Sequence, residues 1–176
     1  MRMNKERMSK ASSLFSVLSL IITALLLIAV VAVVVLGIAL SFNEGLMNMI
    51  AEEIEPETFV KRDIYLIVVV VLMCVPLMAS MFFLAYKLFG NIGTSQTPFS
   101  MENVKILKWI SYLMLIFAIP VTLAAEALFM LYSSWDVFTM QWGGGLPLVF
   151  VAVLFYFMAH IFEYGAALQK ESDETL

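Results

Sequence analysis

The chain has one cysteine, Cys74, and it lies inside an apolar run. No intrachain disulfide can form, and no cysteine-built metal site can be assembled. Charge is scarce too, at 14% of the 176 residues against 62% hydrophobic. That balance leaves too little polar surface to cover a water-soluble domain of this size. Apolar and polar residues do not alternate as barrel strands require. Nucleophile elbows, glycine-rich phosphate loops, zinc-protease helices and paired-acid motifs are all missing. The expected class is therefore a non-enzymatic, all-α membrane protein with no catalytic residue, no cofactor and no metal.

What is present is four long apolar runs, at about 14–40, 64–89, 106–132 and 146–168. Each exceeds the roughly 20 helical residues that cross a hydrocarbon layer. The connectors are too short to fold alone, so residues 1–176 are read as a single four-helix transmembrane domain, an antiparallel bundle with a short acidic C-terminal tail. The first run is far longer than a signal-peptide core and is read as a retained anchor.

Lysine and arginine placement sets the expected orientation. Arg2, Lys5, Arg7, Lys10, Lys87, Lys105, Lys108 and Lys170 flank one side, and Lys61 and Arg62 the other. By the positive-inside rule both termini are predicted cytoplasmic. The first connector, with Glu44, Glu52, Glu53, Glu55, Glu57 and Asp63, is then external and reads as a solvated acidic face. Tyrosine and tryptophan cluster at the expected interfaces, with Tyr86, Trp109, Tyr112 and Tyr164 inside and Tyr65, Tyr132, Trp135 and Trp142 outside.

Local signals set the limits of the spans. GNIGTSQTPFS reads as a turn-rich break before a helix capped by Ser100, with Glu102 near its positive end. Pro76 and Pro120 lie within spans and each removes a backbone donor. Phe42, Leu46, Met49, Ile50 and Ile54 recur at helical spacing, so helix one is expected to continue past the membrane, a separate short surface helix being the alternative. Ser12, Ser16, Ser19 and Thr23 form a small polar stripe suited to close helix packing. The basic start MRMNKERMSK suits anionic inner-leaflet lipid, and is too short to bind nucleic acid as a domain.

Three groups of residues stand out as sites. Glu126 is the one ionisable residue well inside an apolar run, and an intramembrane acid is by default an ion, proton or substrate site. It also lies near the outer end of its span, where water or Lys61 and Arg62 would satisfy it. His160 and Glu163, three residues apart on one helix face, form a pair at the inner mouth that would share a proton or a cation, or simply meet interfacial water.

The third group carries a family resemblance. TPFSMENVKILKWI before the third span and IFEYGAALQKESDETL after the fourth resemble the two signature regions of a family of small bacterial four-helix membrane proteins, domain of unknown function (DUF) 2975. The matching residues are Pro98, Phe99, Glu102 and Asn103, then Phe162, Tyr164, Gly165, Leu168, Gln169, Glu171 and Asp173. The resemblance implies a multi-pass protein of the bacterial plasma membrane with no established activity. It further implies a partner, since such proteins are found beside very small helix-turn-helix regulators. On that reading the signature residues are a cytoplasmic docking platform, for a basic DNA-binding partner drawn by the acidic tail. The alternative function is a small transporter or channel component that uses Glu126 and works as a homo-oligomer.

Overall fold

The computed structural model describes residues 2–53, 61–95, 97–132 and 145–174, and the regular structure among them is entirely helical. The elements are α1 (Arg2–Phe42), α2 (Glu44–Glu53), α3 (Lys61–Ser95), α4 (Met101–Ile116), a π-helical segment (Phe117–Val121), α5 (Thr122–Tyr132) and α6 (Gly145–Glu174). Four stretches are long and apolar enough to cross a membrane: Glu6–Phe42, Arg62–Ser95, Met101–Tyr132 and Gly145–Ser172. By length and composition the chain is compatible with a multi-pass membrane protein.

The helices overrun the apolar runs because nothing at their ends forbids helix. Gly90 to Ser95, expected as part of a break, continue α3 instead. The reason is on α1. Gly90 and Gly93 face the serine stripe, where Ser16 Oγ donates to the Tyr86 carbonyl at 3.1 Å and Ser9 Oγ to the Gly93 carbonyl at 3.0 Å. Small residues on both helices bring the backbones together, and the packing outweighs glycine's poor helix propensity. Ser12, Ser16, Ser19 and Thr23 are all buried there. Among the described residues the break falls at 97–100, where the Ser100 hydroxyl accepts the Asn103 N–H at 3.2 Å and caps α4.

The expectation that helix one simply continues is also corrected. Asn43 stops it. The Asn43 N–H still bonds to the Ala39 carbonyl, while Asn43 Oδ1 accepts the Leu46 N–H at 3.1 Å. One residue thus ends α1 and caps α2, so a separate helix begins. Met47 of α2 then buries against Leu40 and Ile64, with Leu46 and Ile50 alongside. The lower part of that connector, including Glu55 and Glu57, lies outside the described residues, as does the connector at 133–144.

Pro120 sits in the π-helical segment. A wider turn accommodates a residue without an N–H and leaves carbonyls over. The Thr122 Oγ1–H is shared between the Ala118 carbonyl at 2.7 Å and the Ile119 carbonyl at 3.1 Å, the latter also accepting the Thr122 backbone N–H.

Extensive packing joins α1 to α3, α3 to α4 and α4 to α6, each pair antiparallel. The expected bundle is therefore an open row with α1 and α6 at its ends. Its densest point is where α3, α4 and α6 meet, with Leu88, Ile106, Leu107, Ile110 and Ala159 buried together. Inside that junction Ser111 Oγ donates to the Ala152 carbonyl at 2.8 Å. Large apolar side chains such as Leu14, Leu25, Ile28 and Val31 remain on the outside of α1.

Candidate functional site

The antiparallel row brings the first residues of α1, the α3–α4 turn and the last turns of α6 to one end. There the two signature regions, far apart in sequence, touch. Phe99 packs edge-on against Phe162 with ring centroids 5.5 Å apart. The same ring covers Gly165, where an added Cβ would lie 2.5 Å from Phe99 Cδ1. The turn is held from α6 as well, Thr97 Oγ1 donating to Gln169 Oε1 at 3.2 Å.

Asn103 is the internal brace of this corner and is fully buried. Its Nδ2 donates to the Pro98 carbonyl at 3.0 Å, its Oδ1 accepts from Asn91 Nδ2 at 3.2 Å, and its N–H bonds to the Ser100 hydroxyl. A buried amide with partners on both its oxygen and its nitrogen locks the turn to α3 and α4 together. Asn91, read from the sequence as part of the turn-rich break, was not expected in the site.

Around this braced centre the remaining signature residues point outward. Tyr164 is 68% exposed and Leu168 47%. Glu102 and Glu171 are exposed, and the Asp173 side chain lies outside the described residues. The corner so divides into residues that hold it together, Pro98, Phe99, Asn103, Gly165 and Gln169, of which Asn103 is buried while Phe99 and Gln169 keep an exposed side, and residues that point outward, Glu102, Tyr164, Leu168 and Glu171.

Both signature regions fall inside the part of the chain that matches known proteins. The chain matches a family described as "Protein of unknown function (DUF2975)" over residues 46–176. It belongs to the DUF2975 family. No functionally curated protein and no solved structure matches it significantly. Membership in DUF2975 thus brings no activity with it, and any function has to be argued from the site.

The His160 and Glu163 pair is not alone. Glu163 Oε2 accepts from Lys108 Nζ at 3.0 Å and from His160 Nδ1 at 3.2 Å, so one carboxylate oxygen ties α4 to α6. His160 meets Tyr156 edge-on at 4.8 Å, Tyr156 lies 6.1 Å from Tyr112, and Tyr112 lies 6.2 Å from Trp109. Sequence reasoning counted Lys108 only for topology. Its spacing from the Ser100 cap gave no sign of which α6 residue it would face.

Glu126 sits on α5, about 9 Å before the end of that helix at Tyr132. It is half-buried, and among the described residues it carries no hydrogen bond or ion pair. It does not pair with Arg62. The structure keeps Glu126 apart from the corner and from His160, which lie at the other end of the row. Among the described residues no three acidic, histidine or cysteine side chains are grouped to hold a metal.

Proposed function

We propose that this DUF2975 protein is a non-enzymatic, multi-pass protein of a bacterial plasma membrane, with both termini cytoplasmic, that holds a small basic DNA-binding regulator at the α3–α4–α6 corner. One observation carries the reading: the two signature regions pack on each other through Phe99, Phe162 and Gly165 and leave a tyrosine, a leucine and carboxylates facing out. Tyr164 and Leu168, exposed beside the packed contact, are then available to a partner at the membrane surface. Lysines at the same end, Lys87, Lys105, Lys108 and Lys170, support a cytoplasmic location. The acids beyond the last apolar turn then supply steering charge for a basic partner, which would be kept from DNA while bound.

Crosslinking in native membranes, followed by affinity purification and mass spectrometry, tests it. Full-length protein is compared with a Glu171→Lys, Asp173→Lys, Glu174→Lys variant, which keeps Gln169 and its contact with Thr97. A small basic DNA-binding protein captured by the wild type and lost with the variant is the expected result. Unchanged capture and unchanged regulator output would remove the docking role.

A second reading, a small oligomeric transporter or channel component, is favoured by the unpartnered Glu126. Four spans are few for a transport path, so copies would associate. Full flux through Glu126→Gln protein in liposomes would end it.

A further inference from the structure

The circuit of side chains on α4 and α6 has a chemistry of its own. Trp109, Tyr112, Tyr156, His160, Glu163 and Lys108 follow one another through ring contacts and ion pairs, and the two ends of the series, Trp109 and Lys108, are consecutive residues of α4. It lies on the surface of the row. Trp109 is 60% exposed, and the Lys108, Glu163 and His160 side chains are 27%, 40% and 50% exposed. α6 is the last helix of the row, so no further span is extensively packed over this face.

Depth decides what meets it. Lys108 lies eight residues past Ser100, or about 12 Å along α4, and the antiparallel α6 brings His160 and Glu163 to the same level. Trp109 and Tyr112 stand at this level, and they are the residue types that mark the boundary between headgroups and acyl chains in a spanning helix. Amphipathic rings favour it, presenting an apolar body to the chains and an O–H or N–H to the headgroups.

Charge decides which headgroup. Lys108 and Glu163 cancel, and His160 uses the same carboxylate oxygen. One turn toward the water, Lys105 is exposed and has no ion pair among the described residues. Glu102, nearer the helix start, forms no ion pair with it. The circuit with Lys105 therefore carries one net positive charge with His160 neutral, and two with it protonated. Lys108 keeps two further N–H donors beyond the one that Glu163 takes.

We propose that this α4–α6 face binds the phosphate headgroup of an anionic membrane phospholipid, with Lys105 and Lys108 as the cationic contacts and Trp109, Tyr112 and Tyr156 as the platform for the glycerol and upper acyl chain. The site rests on the membrane placement of the spans and not on the regulator. It lies on the same helix pair as the docking corner, Glu163 being two residues before Gly165 on α6.

The test is tryptophan quenching in reconstituted vesicles. Full-length protein with Trp135→Phe and Trp142→Phe leaves Trp109 as the sole reporter. It is placed in phosphatidylcholine vesicles containing a minor fraction of brominated phosphatidylglycerol, or the same fraction of brominated phosphatidylcholine. Brominated phosphatidylglycerol is expected to quench with about fivefold higher apparent affinity, the value of one basic contact at an anionic surface. The advantage should vanish in Lys105→Gln, Lys108→Gln, Glu163→Gln protein, which removes the cations without stranding the carboxylate. It should survive in Lys87→Gln protein, altered at a similar depth on α3.

Circular dichroism and a thermal melt show that each variant is folded. Equal quenching by both lipids overturns the site while leaving the spans in the bilayer. No quenching by either overturns the membrane placement of Trp109 and the site with it. Displacement of the brominated lipid by inorganic phosphate at unchanged ionic strength would assign the face to a soluble anion instead.

Discussion

Phe99 lies flat over Gly165, so close that an added Cβ would sit 2.5 Å from Phe99 Cδ1 and 2.9 Å from Cγ. The glycine is there for the space it leaves. Helix α6 needs no special backbone angle at this point; the aromatic ring of the α3–α4 turn needs the missing side chain. Close packing at the glycine makes any added side chain displace the Phe99 ring.

Four glycines separate this effect from general helix propensity. At Gly90 and Gly93 an added Cβ would meet its nearest neighbours at 3.5 and 3.7 Å, which is ordinary contact. At Gly165 it meets Phe99, and at Gly145 the Ala118 carbonyl oxygen at 2.8 Å. Gly90→Ala and Gly93→Ala should therefore leave the melting temperature in detergent unchanged or raised. Gly145→Ala and Gly165→Ala should each cost about 1–3 kcal/mol through overpacking. Phe99→Leu placed on Gly165→Ala should recover part of the loss.

Asn103→Leu should be costly although it adds apolar volume. The Pro98 carbonyl and the Asn91 amide would lose their partner in a buried site, at about 1–3 kcal/mol. Chemical unfolding followed by circular dichroism measures the loss. Ser41→Ala removes only a local bond to the Gly37 carbonyl on an exposed turn and should be neutral.

The π-helical segment makes a prediction about chain length. It holds one residue more than a regular α-helix would between α4 and α5. Deleting Pro120 should let Met101–Tyr132 run as one α-helix with both flanks in register. Deleting Leu113 should rotate the rest of the span by about 100° and pull Ala118 and Val121 out of their buried positions. The first deletion is expected to give folded, monodisperse protein by size exclusion, and the second is not.

Orientation is open to thiol labelling. In a Cys74→Ser background, a cysteine at Asn48 should react with an impermeant maleimide added to intact cells. One at Ser172 should react only after the cells are opened. Both positions are on described helices at opposite ends of the row. The reverse pattern would move the docking corner to the outside and remove the regulator reading.

The wild-type pair Lys108 and Glu163 should report on the α4–α6 contact itself. Both side chains are partly exposed, so exchanging them as Lys108→Glu, Glu163→Lys should preserve folding better than either single reversal. The double-mutant cycle, read by thermal melts in detergent, gives the coupling. Absence of any coupling would mean that Phe99 and Ser111 alone set the α4–α6 register.

Composition and apolar run length were enough to decide a helical class, borne out among the described residues, with four helices long and apolar enough to cross a membrane, because both are properties of the chain that no neighbour can alter. The serine stripe of α1 and the Ser100 cap were legible for the same reason: spacing of 3.6 residues per turn and capping chemistry are local. Family membership was legible in two short stretches around Pro98 and Gly165. What the tertiary structure alone decided was which residue faces which. Asn91 reaches Asn103 only because Gly90 and Gly93 carry α3 onward against α1. Lys108, and not Lys105, meets Glu163 because the rotation of α4 is set by Ser111 and the Leu107 core. Asn43, in a run that reads as helix, separates α2 from α1 by capping it with its own Oδ1, and Met47 then meets Leu40 and Ile64. Each depends on the register and rotation of two helices together, a quantity that no single run of residues contains.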